Sequence, residues 1–70
     1  MTVRLMSYNI RFGGLGREAR IAEVIGAAQP DLLILQEATH PHVVERLSTL
    51  TGMAHTGSKK GYSVAFLYRM

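Results

Sequence analysis

A chain of 70 residues, 47% apolar and 19% charged, falls short of the usual domain size of about 100–150 residues, and a two-domain enzyme is excluded. It contains no cysteine, which removes disulfides and thiolate zinc sites and leaves packing alone to hold the fold. Eight Lys and Arg against five Asp and Glu give a net charge of +3, a mild bias toward phosphate-bearing molecules or nucleic acid that does not select a partner by itself.

Residues 3–10 alternate, with Val3, Leu5, Ser7 and Asn9 on one side and Arg4, Met6, Tyr8 and Ile10 on the other, and this period predicts a strand. A glycine-rich loop from Phe12 to Gly16 follows, able to take positive φ. Ile21, Val24, Ile25 and Ala28 then recur at helical spacing over residues 17–28, with Glu18 in the first turn and Pro30 ending the helix beyond Gln29. Leu32-Leu33-Ile34-Leu35 is apolar throughout, the pattern of a strand buried on both faces. Strand, helix, strand is a βαβ unit, so the two strands should be parallel with their carboxyl ends side by side.

Thr39 or His40 is the expected cap of a second helix, with Pro41 in its first turn, Val43, Val44, Leu47 and Leu50 facing inward, and Gly52 as its stop. A polar turn is expected over residues 55–61, then a strand over residues 62–69 in which Tyr62, Val64, Phe66 and Tyr68 alternate with Ser63, Ala65, Leu67 and Arg69. Two helices cover only part of such a three-strand sheet, so apolar surface and open edges are left over. The expectation is a truncated portion of one domain spanning residues 1–70, with the rest of that domain missing. No apolar run approaches the roughly 18 residues that span a bilayer, and Arg4 and Arg11 interrupt the stretch a signal peptide would need. A cytoplasmic location is expected.

Ligands of open α/β sheets bind beyond the carboxyl ends of the strands, and the sequence puts Asn9 at the end of the first strand and Glu37 at the end of the second. A carboxylate at that rim suits Mg²⁺, which takes one or two carboxylates plus water and phosphate oxygens, and a neighbouring amide can orient a phosphate. Spacing alone equally allows two strand-end polar groups that only meet water.

Leu5-Met6-Ser7-Tyr8-Asn9-Ile10-Arg11 and Pro30-Asp31-Leu32-Leu33-Ile34-Leu35-Gln36-Glu37 resemble the first two motifs of the endonuclease/exonuclease/phosphatase superfamily. The stretch from Gly61 to Arg69 is similar to the later strand before that family's middle region. The resemblance implies a β-α-β-α-β N-terminal portion of a DNase I-like four-layer α/β sandwich, part of a metal-dependent phosphoester hydrolase. It implies Glu37 and Asn9 as catalytic and metal-binding residues, with Mg²⁺ as cofactor and Mn²⁺ as the alternative. Arg11 is the weaker expected phosphate contact, against a solvated loop arginine. A phosphoester is the implied substrate, nucleic acid being one option alongside phospholipid and inositol phosphate.

The departures matter as much. The family's Asp-x-Asn segment, which orients the attacking water, and its Ser-Asp-His segment, which supplies an Asp-paired histidine, have no counterpart here. The lone aspartate, Asp31, precedes the second strand, at the wrong end to join the site. These residues alone are therefore expected to be inactive.

Two other readings compete. Gly14-Leu15-Gly16-Arg17-Glu18-Ala19, with Glu37 about 20 residues on, spells a G-x-G-x-x-A dinucleotide-binding fingerprint, although Arg11, Phe12 and Gly13 separate it from its strand. A non-catalytic module that pairs by strand addition is the third. His40 and His42 stand two apart and, on a helix, would point away from each other, so no shared ion is expected. His55 in a polar turn and Lys59-Lys60 read as ordinary surface groups, the lysines as a nucleic-acid backbone contact at most.

Overall fold

The computed structural model describes residues 2–57 and 63–69. The chain runs through strand β1 (Leu5–Asn9), a 3₁₀ turn (Phe12–Gly14), helix α1 (Glu18–Ala28), strand β2 (Leu32–Gln36), helix α2 (Pro41–Thr51), and strands β3 (Ala54–Thr56) and β4 (Val64–Tyr68). The strands form one sheet in the order β1-β2-β4-β3. β1 and β2 are parallel, as a βαβ crossover requires, and β4 runs antiparallel to both β2 and β3. This mixed α/β architecture is consistent with the expected N-terminal portion of a DNase I-like fold.

β1 begins at Leu5, after an Arg4 whose backbone is bonded to the turn that leads into β2. The Arg4 N–H donates to the Asp31 carboxylate at 2.8 Å, and the Arg4 carbonyl accepts from Asp31 and Leu32 at 2.9 and 3.1 Å. Asp31 thus pins the starts of the two parallel strands together, at the rim opposite Glu37.

Helix α1 carries Glu18 in its first turn, where the positive end of the helix dipole favours an acid. It closes at Gln29, whose left-handed backbone (φ 50°) directs its N–H to the Ile25 carbonyl. Helix α2 begins at Pro41 after an extended His40 and ends at Gly52, where φ of 74° suits a residue without Cβ.

Sheet register explains the core. Across the sheet, Met6, Leu33 and Leu67 share one row and Tyr8, Leu35 and Ala65 the next. These rows meet Ile21 and Ile25 of α1 and Val43, Val44 and Leu47 of α2, forming one buried cluster with Ile10, Ala38 and Met53. The alternate residues Leu5, Ile34, Phe66 and Val64 fall on the other face, where Leu5 is 65% exposed. The expectation that β2 is buried on both faces is therefore corrected: both helices lie on one side, and among the described residues the other face is open.

Two further expectations change. Leu50, placed inward by helical spacing, is exposed. Met53 fills that end of the core instead, held where Ser48 Oγ donates to its carbonyl. The polar turn expected from His55 is corrected at its start, because Ala54–Thr56 pair with β4 and make a fourth strand. His55 lies in β3 opposite Leu67 and is half-buried. Lys59, Lys60 and Tyr62 lie outside the described residues.

Candidate functional site

The parallel pairing of β1 with β2 sets Asn9 opposite Gln36, which brings Glu37 beside the end of β1. A single layer of backbone joins them. Asn9 Oδ1 accepts the Arg11 N–H at 2.9 Å, and Glu37 Oε1 accepts the Phe12 N–H at 3.2 Å. The two sequence-predicted residues therefore converge and are knitted together through the loop that follows β1, with Arg11 within it.

The electrostatics follow from these contacts. Hydrogen bonding from the Asn9 side chain first, then from the Phe12 N–H, with the Arg11 charge adding to both, holds the Glu37 carboxyl below its ordinary value against a smaller opposing effect of burial. A depressed carboxyl pKa means that the contact's contribution is present above the unfolded-state value and is lost as pH falls through the folded-state one. In a pH titration followed by NMR, the Phe12 amide should move with a midpoint below that of an unperturbed glutamate, and Asn9→Ala should raise that midpoint. A wild-type midpoint no lower than that of an unperturbed glutamate would contradict the arrangement.

The loop itself is tightly built. Phe12 and Gly13 both have positive φ, 51° and 70°, and the Gly14 N–H donates to the Arg11 carbonyl at 2.9 Å, the pattern of a mirror-image type I′ turn. Arg11 (φ 51°) and Glu37 (φ 57°) share the left-handed region, which is costly for residues other than glycine, asparagine or aspartate. Four features hold this geometry. Arg17 Nη2 donates to the Ile10 carbonyl at 2.6 Å and to the Arg11 carbonyl. Phe12 is tied to Glu37. Gly13 lies against the His40 ring, 2.1 Å from where a Cβ would sit. Gly14 is enclosed by Ile10, Ile21 and Val43.

Arg17 was legible only as a helix-start residue. Its role as a strap across two carbonyls carries no sequence signal, because any long cationic side chain before a helix could equally face water. The same holds for the Phe12 N–H, since backbone donors leave no mark on composition.

The other candidates resolve differently. Gly14 and Gly16 do not build a dinucleotide cradle. Among the described residues β1 pairs only with β2, β4 is antiparallel, and the Arg17 guanidinium occupies the carbonyls between strand and helix, whereas that fold needs its first strand central in a parallel sheet. The His40 and His42 rings approach to 5.6 Å, closer than helical spacing implied, because His40 precedes the helix. Among the described residues, however, no three of His, Cys, Asp and Glu gather as a metal group. A concavity of about 610 Å³ lined by Thr2, Arg4, Gly26, Gln29, Asp31 and Arg69 contains none of the predicted site residues.

An open-sheet α/β protein with an amide and an ionised carboxylate joined at its parallel strand ends is the class that fold and site define. The model of the Endonuclease/Exonuclease/phosphatase family matches residues 6–70, and the chain belongs to that family, a superfamily of phosphoesterase type. No curated protein matches the chain. No helix among the described residues is long and apolar enough to cross a membrane.

Proposed function

We propose that these residues form the metal and phosphate half of a phosphoester hydrolase site. The observation that carries this reading is the joining of Asn9 and Glu37 through the Arg11 and Phe12 backbone N–H groups at one rim. The donor set fits Mg²⁺ or Mn²⁺: a single carboxylate kept ionised, one of its oxygens engaged by Phe12, and an amide beside it, with water and phosphate oxygens completing the shell. Glu37 would hold the ion, assisted by Asn9. The bound ion would supply charge stabilisation for the phosphoryl oxygens and leaving group. Arg11, exposed and adjacent, would meet a phosphate oxygen as a charged donor.

The remaining chemistry must come from elsewhere. No Asp-x-Asn or Ser-Asp-His segment occurs in the sequence, so nothing here orients and deprotonates the attacking water. We therefore read the 70 residues as part of a larger domain and inactive by themselves. The open sheet face, carrying Leu5, Ile34, Phe66 and Val64, supports the same reading.

The test is hydrolysis of bis(p-nitrophenyl) phosphate by the purified chain with Mg²⁺. The expected result is a rate equal to that of Mg²⁺ in buffer alone. Turnover above that background, removed by Glu37→Ala, would overturn the claim that the chain lacks a sufficient set of catalytic groups.

A further inference from the structure

Resting on the phosphoesterase reading above, we propose that Phe12 is a specificity-determining residue that stacks on a planar aromatic group of the phosphoester, a nucleobase or an aryl leaving group. Its exposure starts the argument. Phe12 is 83% exposed, more than any other large apolar residue among those described. Isolated exposed apolar residues are ordinary, but this one combines two costs with one placement.

The first cost is the aromatic surface left in water. The second is the backbone: Phe12 holds φ of 51° in a mirror-image turn, a position that glycine, asparagine or aspartate fills without penalty and a bulky side chain does not. An observed outlier held by its surroundings is the proper starting point for a functional hypothesis. Here the holding is explicit, through the Arg17 strap on the carbonyls of Ile10 and Arg11 and the seat of Gly13 against His40.

The placement gives the ligand class. The Phe12 N–H donates to the Glu37 carboxylate, so the ring hangs from a residue in direct contact with the proposed metal ligand. Arg11, the preceding residue, carries the positive charge suited to the phosphate. A phosphoester seated at Glu37 and Arg11 would therefore extend its organic group past Phe12, and a flat ring rewards a flat partner.

Binding tests this without requiring turnover. Phenyl phosphate and methyl phosphate are titrated, each with Mg²⁺, into the full chain and followed by NMR. Phenyl phosphate should bind at least about fivefold more tightly than methyl phosphate, the low end of a single aromatic stack, and should shift the Phe12 ring protons upfield. In Phe12→Ala that preference should disappear with the melting temperature within about 3 °C of wild type, and in Phe12→Trp it should persist. Equal affinity for the two esters in the wild type, or a preference surviving Phe12→Ala, would overturn the role of Phe12 while leaving the phosphate site standing. Failure of both esters to bind would overturn the phosphate site and the inference together.

Discussion

Leu35→Ala is expected to leave the chain largely unfolded at 25 °C. Leu35 is fully buried in the second strand of the sheet, between Tyr8 on one neighbour and Ala65 on the other. Truncating a buried leucine to alanine costs about 2–5 kcal/mol, from lost transfer free energy and the cavity left behind. A core in a chain of this size supplies only about 3–5 kcal/mol, so one such loss consumes most of the total. Leu50→Ala is the matched control. Its side chain is 44% exposed, and the change should stay within about 0.5 kcal/mol of wild type. Circular dichroism with urea titration separates the two. Equal losses would mean that Leu50 belongs to the core after all, as its helical spacing had suggested.

Gly13→Ala should be the most damaging small substitution in the loop, lowering stability by about 2–4 kcal/mol. A Cβ there would lie 2.1 Å from His40 Cδ2 with φ at 70°, so clash and left-handed backbone both count. Gly16 has φ of 76° but nothing within 4 Å of its would-be Cβ, and Gly16→Ala should cost only the backbone part, about 1 kcal/mol. Adding His40→Ala to Gly13→Ala should recover the part of the loss that exceeds that of Gly16→Ala. Identical melting curves for the two single variants would show that the loop does not rest on His40.

The frame of the fold was readable because it depends on periodicity and on punctuating residues. Ile21 and Ile25, Val43, Val44 and Leu47, and the stops at Gln29-Pro30 and Gly52 all fell where spacing and caps put them. β3 was not readable, since Ala54, His55 and Thr56 carry no apolar alternation and become a strand by pairing with β4. Leu50 was misplaced because helical spacing cannot know that Met53 fills the end of the core.

At the site, the convergence of Asn9 and Glu37 followed from parallel pairing and needed only the βαβ rule. What escaped was the loop between strand and helix. Its geometry rests on positive φ at Arg11, Phe12 and Glu37, residue types that give no warning of it, and on backbone groups bound by Arg17 and Glu37. The glycine-rich stretch signalled unusual backbone but suggested a dinucleotide loop as readily as a strapped turn. The sheet's order, with an antiparallel β4 beside β2, separates those readings.

The proposed function requires a metal ion at Glu37 and Asn9. Mn²⁺, added at a small fraction of the protein concentration, shortens the relaxation of nearby protons and serves as the probe. The expected result is selective broadening of the Asn9, Arg11, Phe12 and Glu37 amides, with Asp31 and Arg69 at the opposite rim unaffected, and loss of that pattern in Glu37→Gln. Broadening centred on another part of the chain, or the same pattern persisting in Glu37→Gln, would contradict it.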